Sequence, residues 1–154
     1  TVLEQCKEDD VIENVKAIRE FAGDRAVLRA FHFFEENKRV DAEVEALEKK
    51  DFATFFNKIT ESGDSSWKWL QNCYCNETPD EQSITVALAL TKLYLNKIGR
   101  GVCRVHGGGF AGVIAAFLPK EETEGFTKYI DKALGEGSAY VMHIRPQGAV
   151  KVEF

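Results

Sequence analysis

The stretch RVHGGGFAGVIAAFLP, Arg104 to Pro119, sets four glycines, Gly107, Gly108, Gly109 and Gly112, inside six positions between two apolar runs. Positions without side chains leave backbone N–H groups open, and consecutive N–H groups form a concavity that suits an anion such as phosphate. A hairpin turn using glycine for positive φ explains one or two such residues, not four. The residue types leave both readings open, a phosphate cradle and a structural turn. Strand alternation puts Arg104 and His106 on one face just before the loop.

Context decides between phosphate-loop classes. GGGFAG satisfies G-x-G-x-x-G, but that fingerprint needs a helix after the glycines, and the apolar run VIAAFLP reads as a strand. A P-loop needs Lys and then Ser or Thr after its last glycine, where Val113 and Ile114 stand. A protein-kinase glycine loop does sit in a hairpin, but only 42 residues follow Gly112, with no H-R-D and no D-F-G. What remains is a glycine-rich turn between two neighbouring strands.

The elements around the loop change period along the chain. Val11, Val15, Ile18 and Phe21 recur at helical spacing over 9–21, and Gly23 then breaks the helix, with Asp24 as the expected N-cap of the next. From Asp24 to about Lys50 the stripe Phe33, Asn37, Val40, Val44, Leu47 is expected to face the core, with Asn37 hydrogen-bonded there. Arg29, His32 and Glu36 form a second stripe, expected to be a partly buried salt-linked network. Asp51 is expected to cap a short helix that Gly63 breaks, and Trp67 and Leu70 are expected in the core. Thr78, Pro79 and Glu81 read as a capping box opening a helix that ends at Gly99 and is buried on a wide face. Residues 101–106 alternate as a strand. The continuous apolarity of 112–119 predicts a central strand buried on both faces. Helical spacing returns over 120–134 with Phe126, Ile130 and Ala133, and SAYVMHIRP and AVKVEF read as two closing strands. The pattern predicts an α+β fold, helices first and then a mainly antiparallel β-loop-β-α-β-β sheet.

Composition narrows the function classes. The 154 residues are 44% hydrophobic and 29% charged, as in a soluble domain with a core. A net charge of -5 without a basic run disfavours nucleic acid as a partner. No apolar stretch approaches the ~20 residues of a membrane span. Cys73 and Cys75 are spaced C-x-C, with Cys6, Cys103 and three scattered histidines elsewhere, which is no zinc pattern, so no metal ligand set is expected. Reduced thiols and a polar start without a signal segment predict a cytoplasmic protein. Opening on Thr1, the chain is expected to be a fragment or a processed product.

At this point three ordered segments resemble a known family. GVCRVHGGGFAGVIAAFLP resembles the third conserved motif of the GHMP kinases, and most closely the galactokinase version, which runs roughly G-A-R-M-T-G-G-G-F-G-G-C. Arg104 matches its Arg, and Gly107, Gly108, Gly109, Phe110 and Gly112 match its core. GDRAVLRAFHFFEENKRV (23–40) resembles the segment that precedes the motif, with Arg29, His32, Glu36, Asn37, Arg39 and Val40 in matching places. YVMHIRPQGAVKV (140–152) resembles the closing RPSxGA segment. His106 departs from the usual Thr, and Ala111 from a glycine.

The resemblance implies a ferredoxin-like GHMP kinase C-terminal domain over 1–154, a single domain. It implies an enzyme that transfers the γ-phosphoryl group of Mg-ATP to the anomeric hydroxyl of galactose. In that family a separate N-terminal half carries the sugar-binding segment, a Ser-rich loop G-L-S-S-S-A and a catalytic Asp. None of these occurs in this sequence, so no residue here is expected to be catalytic. Gly107, Gly108, Gly109, Phe110 and Gly112, with Arg104 and His106, are implied to line the nucleotide site, with ATP and Mg as cofactors. Galactose would bind together with the N-terminal half. The cleft face that this half would cover is expected to let the isolated domain dimerise. Two alternatives remain, a GHMP kinase for another small alcohol or sugar, and a non-catalytic galactokinase-like sugar sensor.

Overall fold

A computed structural model describes residues 3–110, 112–144, 146–148 and 150–151. Ala111, Arg145, Ala149 and 152–154 lie outside them, so most of the expected last strand does too. The chain divides into two compact units, Thr1–Pro119 and Lys120–Phe154. The first is α+β, with helices followed by one antiparallel hairpin, as the change of period predicts.

After a 3-10 turn at Leu3–Gln5 come α1 (Glu8–Glu13) and α2 (Val15–Ala22). Gly23, at φ 81°, ends α2 and is itself the N-cap of α3 (Asp24–Glu48), so Asp24 is the first helical residue rather than the cap. Val11, Val27 and Ala30 bury together with Val15, Ile18, Phe31 and Phe34 around them. Phe21 is not among them. It is 94% exposed, because α2 presents only Val15 and Ile18 to α3.

The long helix α3 turns a different face inward from the expected one. Val40, Val44 and Leu47 are about half exposed and Asn37 is exposed, while Val27, Ala30, Arg39 and Ala46 are buried. Beside Phe34 and beyond it, the inward face carries His32, Glu36, Arg39 and Glu43. Hydrophobic periodicity alone selects the wrong stripe, because His32 and Glu36 find partners on neighbouring elements and Arg39 pairs with Glu36.

Asp51 caps α4 (Phe52–Ser65) as expected, its Oδ1 accepting from the Thr54 amide at 3.0 Å. Gly63 does not break this helix. It lies where a Cβ would stand 3.1 Å from the Cβ of Arg104, so glycine there admits close approach of strand to helix. A π turn, Ser66–Leu70, follows. Trp67 on it is partly exposed rather than core. The expected capping box at Thr78 is instead a tight turn with Pro79 at its second position, closed by the Glu81 amide donating to the Thr78 carbonyl at 3.0 Å. The helix itself, α5 (Ser83–Ile98), starts later and ends at left-handed Gly99 as expected. Its buried face is narrow, Ile84, Thr91 and Leu95 with Leu88 beside them, while Val86 and Leu93 are exposed.

The strands β1 (Val102–His106) and β2 (Val113–Phe117) pair antiparallel, from Val102 opposite Phe117 to His106 opposite Val113. Arg104 and Phe117 face α4, where Phe117 lies 6.3 Å from the Phe56 ring. Val105 and Ile114 face α5 and pack with Ile84, Leu88 and Cys73. The run in β2 is therefore apolar on both faces because the hairpin lies between two helices, although it pairs with one strand instead of standing in the centre of a sheet.

The second unit holds a 3-10 turn, Lys120–Glu122, and the expected helix, α6 (Thr123–Leu134), which ends at Gly135. Asp131 accepts the Gly135 amide on its carbonyl at 2.9 Å and the Ala139 amide on its Oδ1 at 3.0 Å. Among the described residues, 138–144 form no strand, so the β-loop-β-α-β-β order is observed only as β-loop-β-α. No helix among the described residues is long and apolar enough to cross a membrane.

Val105, 1% exposed, stands where α5 and the hairpin meet. Val105→Ala is expected to cost about 2–3 kcal/mol, from lost transfer energy and an unfilled cavity. Phe21→Ser should change stability by under about 0.5 kcal/mol. Urea unfolding of the two variants checks both, and an equal effect would place the core elsewhere.

Candidate functional site

The glycine loop joins the end of β1 to the start of β2, and its described residues are 107–110 and Gly112. Gly107 (φ 71°), Gly109 (φ 76°) and Phe110 (φ 58°) are all left-handed, and the Gly112 amide closes a turn on the Gly109 carbonyl at 3.0 Å. The glycines do different things. A Cβ on Gly109 would fall 2.2 Å from the Asn72 carbonyl oxygen, so only glycine lets the two backbones approach there. A Cβ on Gly107 or Gly108 would meet open space. Their bareness leaves backbone N–H groups approachable by an outside partner.

The loop is tied down from behind. The Phe110 amide donates to the Asn72 carbonyl at 2.7 Å, and Asn72 Nδ2 donates to the Gly108 carbonyl at 3.4 Å. The two readings of the loop therefore divide it. Gly108 through its carbonyl, Gly109, Phe110 and Gly112 are held by internal contacts, while Gly107 and the Cα of Gly108 border open space. The open space is beside Gly107 and Gly108, where bare backbone is the kind of surface that suits an anion. The loop and its flanks, 104–113, hold no carboxylate, so Mg would need ligands from elsewhere.

His106 is exposed at the end of β1, next to the outward glycines. Arg104 shares its strand face but is directed to the interior of the first unit. Its Nη1 donates to Glu36 Oε1 at 3.2 Å and its Nε to the Val105 carbonyl at 3.0 Å. Glu36 also accepts from Arg39 Nε on Oε2 at 2.9 Å and from the fully buried Ser62 hydroxyl on Oε1. One carboxylate thus joins α3, α4 and β1. The Arg29, His32, Glu36 stripe is partly this network. Arg29 is exposed, whereas His32 Nδ1 lies 3.0 Å from Ser65 Oγ. Sequence reasoning missed Asn72 and Ser62. A polar residue in a loop and a serine in a helix carry no periodic signal.

The electrostatics follow from this packing. Burial pushes the Glu36 carboxyl up, but the Ser62 and Arg39 hydrogen bonds and the charge of Arg104 outweigh it and hold the group below its ordinary 4.5. Burial, aided by Arg39 and Arg104 against Glu36, holds His32 below 6.5. Burial pushes Glu43 up, against the pull of Arg104. Among the described residues no group of three His, Cys, Asp or Glu is placed to hold a metal ion.

No family model matches the chain. It is 30% identical over 146 residues to the galactokinase of Haemophilus influenzae strain PittGG, and equally to those of strains PittEE and Rd. Each match covers 82% of this chain and 34% of the relative. The similarity defines a sugar-kinase-like region, specifically a galactokinase-like one. The chain spans about a third of the length of the curated relatives it matches.

Glu36→Gln removes the charge that pairs Arg39, which is 8% exposed and whose Nη2 is buried without a hydrogen-bond partner. The expected cost is about 3 kcal/mol, as when one member of a buried pair is lost. Both Glu36 and His32 bind protons less readily folded than unfolded, so stability falls as pH falls. The His32 contribution is complete above its unfolded value of 6.5 and is lost as pH drops through its lower folded value. That of Glu36 is complete above 4.5 and is lost below it, while Glu43 works in the opposite sense. Urea midpoints from pH 8 to 3 should show both falls, and Glu36→Gln should shrink the lower one, to which Asp24, Glu35, Glu45, Asp51 and Glu124, also held low by hydrogen bonds, contribute the rest. A midpoint independent of pH would contradict the assignment.

Proposed function

We propose that this chain is the C-terminal part of a cytoplasmic galactokinase-type enzyme. It forms one domain whose glycine loop is a wall of the nucleotide site. In the reaction the anomeric oxygen of galactose attacks the γ-phosphorus of Mg-ATP, the bond from that phosphorus to the β,γ-bridging oxygen breaks, and ADP leaves. The sugar hydroxyl proton goes to a base outside this chain. Catalysis of this type is mostly positioning and charge stabilisation. Gly107 and Gly108 would offer amides to the phosphates, and His106 and the half-exposed Phe110 would flank them. Arg104 would act indirectly, by holding β1 against Glu36.

The observation that carries this reading is the 30% identity to the galactokinases, with the glycine loop backed by Asn72 and open at Gly107 and Gly108. The half-exposed Val40, Val44 and Leu47 fit a domain with further surface to cover, whether by the rest of the protein or by a second copy.

The 154-residue chain alone is expected to show no galactose-dependent ATP hydrolysis and no tight ATP binding by calorimetry. Joined to the remainder of its protein it should consume ATP only with galactose. Turnover by the chain alone would overturn the division of labour. A joined protein that turns over a different sugar would point to another small-molecule kinase, and one that binds both ligands without turnover to a sensor.

A further inference from the structure

We infer that Asn72 is the positioning residue of the glycine loop, a buried clamp that pre-forms the outward amides of Gly107 and Gly108 for the nucleotide phosphates. The inference rests on the nucleotide-wall reading above.

Three features converge on this residue. The first is its isolation from solvent. Asn72 is 2% exposed, and a polar side chain so buried is kept only where it has partners. Its side-chain Nδ2 donates to the Gly108 carbonyl at 3.4 Å and its Oδ1 accepts from Cys73 Sγ at 3.8 Å, while its backbone carbonyl accepts the Phe110 amide at 2.7 Å. The second is the unusual backbone that delivers it. The π turn Ser66–Leu70 is closed by the Gln71 amide donating to the Ser66 carbonyl at 2.7 Å, and Gln71 is left-handed at φ 56°. Arg25, in the first turn of α3, donates to the Gln71 carbonyl at 2.9 Å and fixes this bend. The third is strain on both sides. Among the described residues three non-glycines have left-handed backbone, and two of them, Gln71 and Phe110, flank the Asn72–Phe110 hydrogen bond. Strained backbone persists only where its surroundings over-determine it, and it collects at functional sites.

The consequence is pre-organisation. A glycine-rich loop is otherwise among the most mobile segments of a chain, and ordering it on binding would weaken affinity. Clamping Gly108 and Phe110 from the inner side removes that cost while leaving the outer side bare. Asn72 touches neither the sugar nor the transferred phosphoryl group in this arrangement. Its loss should therefore weaken nucleotide binding and leave the chemical step intact.

The test uses Asn72→Ala, the isosteric Asn72→Asp, which keeps the volume but loses the Nδ2 donor, and Gly109→Ala, which pushes the loop off the clamp from the other side. In the galactokinase-type protein proposed above, each is expected to raise KM for ATP about tenfold. For the two Asn72 variants, kcat and KM for galactose should stay within about twofold. In the 154-residue chain, hydrogen exchange at the Phe110 amide should quicken at least about tenfold in Gly109→Ala, whose Cβ would collide with the Asn72 carbonyl that accepts this amide. An unchanged KM for ATP in the active protein, or unchanged exchange at Phe110, overturns the inference. A fall in kcat equal to the rise in KM overturns it too, since a merely structural defect would act that way. A wild-type protein that consumes no ATP with galactose removes the kinase reading instead, and the exchange at Phe110 then decides the clamp by itself.

Discussion

One carboxylate organises the first unit. Glu36 is half-buried on α3 and takes hydrogen bonds from its own helix through Arg39, from α4 through Ser62 and from β1 through Arg104. Desolvating a charge is costly, and the cost is met only when partners surround it. The helices and the strand must therefore arrive together, and Gly63 removes the one side chain that would keep α4 from Arg104. With β1 held on this side and Val105 packed against α5 on the other, the hairpin has one place to lie. The position of the glycine loop at its end follows.

The parts of this fold legible in the sequence are those where local chemistry and packing agree. The Asp51 cap, the glycine stop at Gly99 and the change from helical to alternating period each depend on a few adjacent residues, and each is found. The errors share a cause, which is that a residue type has more than one use. Proline after threonine opens a helix or a tight turn, and Thr78–Glu81 is the turn. Glycine within a helical pattern ends the helix or lets a neighbour come close, and Gly63 does the second. An apolar strand can be covered by strands or by helices, and β2 is covered by α4 and α5. The largest error, the facing of α3, arose because hydrophobicity was weighed without partners. Arg39 and Glu36 are legitimate interior residues once Ser62 and Arg104 are counted, and those lie 26 and 68 positions from Glu36.

The candidate site was half legible for the same reason. A cluster of glycines between two strands is visible in one dimension, and the galactokinase-like character extends over most of the chain. What the glycines are for is not visible, because Asn72 stands 36 residues before Gly108. Sequence alone treats the four glycines as equivalent. Distances separate them: a Cβ on Gly109 would meet the Asn72 backbone, while one on Gly107 or Gly108 would meet open space.

This two-sidedness bears on how such a loop can change over evolutionary time. The inner side is locked to Asn72 and, through Gln71, to Arg25, so substitutions there must occur in concert or not at all. The outer side, exposed His106 with Gly107, touches little behind it, although Gly107 at φ 71° keeps a backbone that favours glycine. His106 can change alone without dismantling the scaffold. The exposed end of β1 is then the part of the rim that a lineage could diversify first.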